Sequence, residues 1–154
     1  MQQLDLDFYT SYNQFYIVDK GKKDLDTSED FWNEVAHEER LSMNDGVLGI
    51  RTECYGPVKG TLIVGSTENV NIDIESFDHI VEGSIRINSG TLQILDCPNS
   101  DVEAELPLNN GIYRVRIYSS NLDTVDGDEG DDFYTIEIWP SAVPGRKVLK
   151  QYRV

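Results

Sequence analysis

Cysteine and histidine are scarce in this sequence, with only Cys54, Cys97, His37 and His79 present. Two isolated cysteines cannot form a disulfide framework and make no C-x-x-C pair, so both are interpreted as reduced and structural. The segment His37–Leu41 begins like a helical zinc motif, but a leucine stands where the second histidine ligand belongs. A phosphate-binding glycine loop and a G-x-S-x-G nucleophile elbow are also absent from the sequence. The sequence therefore predicts a protein that is not an enzyme and has no cofactor.

Long apolar runs are missing as well. The first seven residues, Met1–Asp7, contain neither the basic start nor the hydrophobic stretch of a secretory signal. No segment approaches the ~20 consecutive apolar residues that span a bilayer as a helix. We therefore expect a cytoplasmic protein.

Basic residues are few: 13 Lys and Arg stand against 28 Asp and Glu, for a net charge of −15. Direct binding to nucleic acid is disfavoured because cationic side chains must replace the counterions around phosphates. An anionic membrane surface is disfavoured for the same reason. Solubility, cation binding or a basic protein partner remain as explanations of the charge.

The charge reverses in the last nine residues, which contain four basic residues and no acidic one. We expect this tail to neutralise the acidic body as a closing strand, with Val148 and Tyr152 facing inward.

What the sequence has in abundance is alternation of apolar and polar residues, the period of half-buried β-strands. A chain of 154 residues with 39% hydrophobic residues suits one domain with its own core, residues 1–154. The predicted fold is all-β: an antiparallel β-sandwich with one short α-helix near the N-terminus. The alternating segments are Leu4–Phe8, Tyr12–Val18, Val47–Glu53, Thr61–Gly65, Val70–Glu75, Ser84–Ile87, Thr91–Leu95, Val102–Leu106, Tyr113–Tyr118 and Phe133–Trp139.

Turn residues separate these segments. Asp45-Gly46, Asn88-Ser89-Gly90 and Asn109-Asn110-Gly111 each supply a residue that tolerates positive φ. The Asn88–Gly90 loop is predicted to close a hairpin between the strands on its two sides.

One segment has helical spacing. Thr27 and Ser28 are capping residues, and negative charge follows in the first turn. An apolar stripe of Phe31, Trp32, Val35 and Ala36 then predicts a helix of about three turns that packs on the sandwich. Trp32 is also a candidate partner contact, because tryptophan contributes disproportionately to binding energy.

The most unusual segment is Asp123–Asp132, which holds six carboxylates and two glycines in ten residues. Three interpretations are open: a solvated turn that resists aggregation, a loop that presents carboxylates to a basic protein, and a calcium site. For the second interpretation the candidate contacts are Asp126, Asp128, Glu129, Asp131 and Asp132.

The spacing of this segment departs from the helical calcium loop. Counting from Asp126, Gly130 falls where the third ligand belongs, and Asp131 falls where the invariant glycine belongs. Glu137 is the twelfth residue, but it alternates within an apparent strand and is not free to close a loop. No metal ligands are assigned.

The chain resembles the competence protein J family, small acidic bacterial inhibitors of a DNA-entry nuclease. The resemblance lies in four short segments: Ser11–Phe15, Asp45-Gly46 with the strand pattern after one early helix, Gly111–Val115 and Asp131–Ile136. It implies a β-rich inhibitor fold. This sequence differs from the family in its enlarged acidic loop and its basic tail after Pro144.

The leading hypothesis is an acidic inhibitor or immunity protein that occludes the cationic groove of a basic nuclease or toxin. The alternative is a calcium- or carbohydrate-binding β-sandwich module, and a structural or assembly domain is a third possibility.

Overall fold

The structure is a computed structural model that describes residues 2–22 and 30–154. The described chain is mostly β-strand and holds one short α-helix. None of its helices is long and apolar enough to cross a membrane. In chain order the elements are β1 (Gln2–Tyr9), β2 (Gln14–Asp19), α1 (Glu34–Glu39), β3 (Leu41–Asn44), β4 (Val47–Arg51), β5 (Pro57–Val64), β6 (His79–Ile87), β7 (Thr91–Leu95), β8 (Val102–Pro107), β9 (Gly111–Ser120), β10 (Phe133–Pro140) and β11 (Lys147–Lys150).

The strands form two sheets. Sheet A has six strands in the order β1-β5-β10-β9-β6-β11, and sheet B has five in the order β3-β4-β2-β7-β8. All pairings are antiparallel except that of β5 with β10, which is parallel. The expectation of a purely antiparallel arrangement is therefore wrong at this pair, because 68 residues of chain separate the two strands and allow β10 to return in the same direction.

Both sheets contribute side chains to one hydrophobic core. Phe15 and Ile17 of β2 enter it from sheet B, and Val115 and Ile117 of β9 enter it from sheet A. These four side chains are at most 1% exposed. The alternation seen in the sequence therefore marks the inward face of each strand, as period-2 patterning requires.

The turn residues correctly predict where the chain reverses, but they do not always predict that the two flanking strands pair with each other. Asp45-Gly46 joins β3 to β4 as a hairpin. Asn88–Gly90 does not close a hairpin, because β6 belongs to sheet A and β7 to sheet B. The buried Asp19 carboxylate accepts hydrogen bonds from the backbone N–H groups of Asn88 and Ser89, both at 3.1 Å, and holds this crossover against sheet B.

The helix is shorter and starts later than predicted. Thr27 and Ser28 lie outside the described residues, and Asn33 caps α1 by accepting a hydrogen bond from the Ala36 N–H at 2.9 Å. Phe31 and Trp32 precede the helix and pack on sheet B above Gly49, where a Cβ would lie 2.8 Å from the Trp32 ring.

The predicted strand at Val70–Glu75 is not formed. This segment is irregular and ends in a 3₁₀ turn at Ile74–Ser76, and Val70 is 76% exposed. An alternating segment forms a strand only when one of its faces is buried, so the local pattern alone does not predict a strand here.

The segment at residues 68–69 covers the polar face of sheet A instead. Arg116 donates from Nη2 to Glu68 at 2.9 Å, from Nη1 to the Asn69 carbonyl at 2.9 Å, and from Nε to Glu82 at 2.7 Å. Glu82 also accepts from Arg114 Nε at 3.0 Å. Both arginines are buried, although their alternation with core residues suggested a solvent-facing row.

The basic tail forms β11 on the edge of sheet A, and Val148 and Tyr152 pack against the core as expected. His79, which is fully buried, joins this tail to α1. Its Nδ1 accepts a hydrogen bond from the Tyr152 backbone N–H at 3.0 Å, and its Nε2 lies 2.7 Å from the Glu39 carbonyl. These contacts fit the neutral ring with the proton on Nε2.

Burial lowers the pKa of His79 to about 4, and the nearby charges of Arg40 and Arg51 add to this effect. A folded-state pKa below the unfolded value of 6.5 means that the unfolded chain binds the extra proton first as the pH falls. We expect the neutral His79 ring to contribute up to about 3 kcal/mol to the free energy of unfolding. This contribution is complete above pH ~6.5 and is lost as the pH falls towards ~4.

Urea unfolding of the wild type and His79→Gln between pH 7.5 and pH 4 measures this contribution. The free energy of unfolding should decrease less for the variant than for the wild type across this range. An unchanged pH dependence would mean that His79 is not the titrating group.

Candidate functional site

Three connections between strands meet at one end of the two sheets. They comprise residues 10–13 between β1 and β2, residues 52–56 between β4 and β5, and residues 121–132 between β9 and β10. Backbone hydrogen bonds of 2.9–3.0 Å join them: Thr10 N–H to Gly56 O, Thr52 N–H to Asn13 O, and Tyr55 N–H to Gly127 O. The three segments therefore form one continuous surface.

The acidic loop is built around a tight turn. Asp126 and Glu129 exchange two backbone hydrogen bonds, of 2.7 and 3.1 Å, and leave Gly127 and Asp128 at the tip. Gly127 has φ +65°, which suits glycine at the first central position of a two-residue hairpin turn. The tip of the loop is therefore a defined hairpin.

The base of the loop is also tied down. Thr124 Oγ1 accepts a hydrogen bond from the Asp131 N–H at 2.9 Å, and Asn121 Nδ2 donates to the Asp131 carbonyl at 3.1 Å. A Cβ at Gly130 would lie 2.8 Å from the Cα of Val125, so only glycine allows the two backbones to approach this closely. The carboxylates are thus held on a preorganised support.

Four of the five predicted acidic contacts reach solvent. Asp126, Asp128, Glu129 and Asp131 are exposed, and among the described residues no Lys, Arg or His forms an ion pair with any of them. Asp126 and Glu129 stand opposite each other in the turn, where like charges destabilise by a few tenths of a kcal/mol to about 1 kcal/mol. The turn therefore concentrates negative charge that the described part of the fold does not compensate.

Asp132 differs from its neighbours because it is buried, with 5% of its surface exposed. Its carboxylate accepts hydrogen bonds from the Tyr134 hydroxyl at 2.6 Å and from the Cys54 N–H at 3.1 Å. The Tyr134 oxygen in turn accepts from the Glu53 N–H at 2.7 Å. Burial and the Asp132 charge raise the pKa of Tyr134 well above its ordinary value. The sequence-based assignment of Asp132 as a contact is corrected accordingly: this residue positions the surface from below.

Trp32 lines a groove of about 370 Å³ whose lining residues include none from the acidic turn. It is half-buried, and Tyr12, Arg51 and Glu53 are among the other residues that line this groove. Arg51 donates to the His37 carbonyl at 2.9 Å. Tyr12 borders this groove and also contacts Tyr55, so it connects the groove with the acidic side of the surface.

Tyrosines next to the turn were largely missed from the sequence. Tyr9, Tyr12 and Tyr55 are 73%, 60% and 44% exposed, whereas Tyr16 and Tyr118 are buried. Tyr12 and Tyr55 meet edge to face with ring centroids 6.1 Å apart. At Gly56, a Cβ would lie 3.6 Å from the Tyr9 ring and 3.9 Å from the Asp128 Cβ, which places Tyr9 beside the turn.

Tyr12 occupies an unusual backbone position. Ser11 and Gln14 form a β-bridge, and the two turn residues between them, Tyr12 and Asn13, have φ of +60° and +59°. The left-handed region costs an L-residue with a side chain roughly 1–2 kcal/mol, and asparagine tolerates it better than tyrosine. The Tyr-Asn pair before an alternating strand was the available signal in the sequence.

In the part of the chain that the structure describes, no group of three or more His, Cys, Asp or Glu side chains is placed to hold a metal ion.

Two solved structures match nearly the whole chain. ComJ from Bacillus subtilis, an inhibitor of the DNA degrading activity of NucA, aligns with a TM-score of 0.69 and 17% identity over 92% of this chain and 100% of that chain. The product of crocagin biosynthetic gene J aligns with a TM-score of 0.58 and 20% identity over 91% of this chain and 99% of that chain. No protein-family model and no curated protein matches. The resemblance to the competence protein J family is thus confirmed at the level of the fold.

Asp132→Ala and Asp128→Ala compare the structural contribution of a buried carboxylate with that of an exposed one. Removing Asp132 leaves the Tyr134 hydroxyl and the Cys54 N–H without their acceptor, so we expect the free energy of unfolding to fall by about 2 kcal/mol or more. Asp128→Ala, on the exposed tip, should change it by less than about 0.5 kcal/mol. Urea denaturation of both variants measures this difference, and equal effects would contradict the assigned roles.

Proposed function

We propose that this chain is a non-enzymatic inhibitor or immunity protein that binds a basic nuclease or toxin. In this proposal residues 1–154 form one β-sandwich domain, and the acidic turn enters the partner's cationic groove. The observation that carries it is the set of four exposed carboxylates without ion-pair partners among the described residues, on a rigid turn at one end of the fold. The structural likeness to an inhibitor of a DNA-degrading activity supports it.

Carboxylates suit this task because of how nucleases hold their substrate. An enzyme that binds nucleic acid lines its groove with Lys and Arg to neutralise phosphates. Protein carboxylates form the same charge-assisted hydrogen bonds and pair with arginine in a two-pronged geometry. An acidic turn that fills such a groove would exclude the substrate by occupying its phosphate-binding residues.

Rigidity strengthens the proposal. A loop that must be ordered on binding loses part of its interaction energy to conformational entropy. Here the turn and its base are already fixed by hydrogen bonds within the chain. The net charge of −15 would also attract a basic partner over a distance of about a Debye length and accelerate encounter at low salt.

Capture from the source organism's lysate at about 0.1 M and about 1 M salt would identify the partner, since ions screen exposed charge pairs strongly at the higher concentration. Purified NucA, whose activity ComJ inhibits, is a second probe for the inhibition assay.

The variant Asp126→Asn/Asp128→Asn/Glu129→Gln/Asp131→Asn tests the surface. At about 0.5 kcal/mol for each exposed charge pair, affinity for the captured nuclease or toxin should fall by tenfold or more, and binding should depend less on salt. Surface plasmon resonance across a salt series measures both effects.

Asp45→Asn is the matched control for single substitutions such as Asp128→Asn. Asp45 is also an exposed acidic residue in a turn, but it pairs with Lys22 at 3.4 Å and lies at the end of β4 opposite to Arg51 and the candidate surface. Unchanged affinity in the fourfold variant, or an equal loss in Asp45→Asn and Asp128→Asn, would refute the proposed role of the acidic turn.

A further inference from the structure

Packing in the hydrophobic core does not explain why a tyrosine occupies the strained position 12. Its side chain is 60% exposed, and among the aromatic contacts of the described residues its ring meets only the ring of the partly exposed Tyr55. The turn itself is fixed by other groups: the Asn13 carbonyl accepts from the Thr52 N–H at 2.9 Å, and Asn13 Nδ2 donates to the Glu53 carbonyl at 3.0 Å. Glycine at position 12 would therefore satisfy the fold better than tyrosine.

The strain has an effect that does not depend on packing. A two-residue turn with both residues at positive φ is short and rigid, so it presents the Tyr12 ring at a fixed place on the surface. Aromatic rings held in this way lose little conformational freedom on binding and are frequent anchors of protein interfaces. Strained residues of this kind cluster at functional sites.

The charges on the two sides of Tyr12 differ. On one side lies the groove with Arg51, where the single carboxylate of Glu53 faces two guanidinium groups, Arg40 at 2.9 Å and Arg51 at 4.0 Å. On the other side Tyr55 donates its backbone N–H to Gly127, next to Asp128 at the tip of the acidic turn. A cation approaching the rings is therefore attracted on the Tyr55 side and repelled on the Arg51 side.

We propose that Tyr12 and Tyr55 anchor an arginine side chain of the basic partner, with the carboxylate of Asp128 pairing with the same guanidinium. This inference rests on the proposed function for the identity of the partner. Arginine fits better than lysine because its planar guanidinium stacks on aromatic rings and pairs with a carboxylate at the same time. The strongly hydrated ammonium group of lysine would use the carboxylates but gain less from the rings.

Tri-arginine and tri-lysine peptides test the arginine preference without a known partner. Titration followed by the NMR ring-proton signals of Tyr12 and Tyr55 should show tighter binding of tri-arginine. In Tyr12→Gly the affinity for tri-arginine should fall about fivefold while that for tri-lysine changes less than twofold. Asp128→Asn should weaken both peptides.

Thermal unfolding of Tyr12→Gly distinguishes a binding role of the ring from a structural one. If the ring stabilised the fold, its removal would lower the melting midpoint. Because glycine relieves the positive φ, the melting midpoint should stay constant or rise by about 2 °C. Tyr12→Phe should retain the arginine preference, and Tyr55→Ala should lose it.

Equal affinities for the two peptides, or an equal loss of both in Tyr12→Gly, would overturn the inference. The proposed function fails in a different way, if no nuclease or toxin binds the wild-type chain. A captured partner whose affinity falls in the fourfold acidic variant but not in Tyr12→Gly would leave the function in place and refute the arginine anchor.

Discussion

The buried carboxylate of Asp132 is the point from which the candidate surface is organised. It joins the beginning of β10 to the connection between β4 and β5, through the Tyr134 hydroxyl and the Cys54 N–H. A buried charge is tolerable only when hydrogen bonds satisfy it, so this carboxylate fixes both segments at once. In the chain, the acidic turn comes just before Asp132, and Tyr55 comes directly after Cys54. Asp132 therefore positions the segments that form the candidate surface, although it is itself buried beneath that surface.

This arrangement shows why the composition of the acidic segment is ambiguous in the sequence. Asp131 and Asp132 are adjacent and chemically identical, yet one is exposed and the other is buried. The difference follows from the strand period, which turns Asp132, the residue before β10, to the same side as Tyr134. The alternation that predicted β10 continues into the loop by one residue further than its apolar residues indicate.

Local patterns predicted the strands that face the core, the tail strand and the β-rich fold class, because burial of alternate residues determines them directly. They did not predict which strands pair, since Asn88–Gly90 has the same chemistry whether it joins neighbours in one sheet or crosses between two. The helix was placed too early because Phe31 and Trp32 are apolar for a different reason, their packing on Gly49 of sheet B. Tyr12 and Tyr55 escaped prediction because exposure depends on segments brought together from distant parts of the chain.

The candidate surface combines two departures from what stability alone would select. Like charges face each other in the acidic turn, and Tyr12 holds a backbone conformation that suits glycine. Each is destabilising in the free protein, and each would be offset by contact with a cationic, arginine-bearing partner. In the proposed complex the two features would have different roles: long-range attraction by the carboxylates would set how fast a partner arrives, whereas close contact with the rings would set how long it stays. A surface selected only for solubility would need the charges but would have no use for a strained aromatic residue beside them.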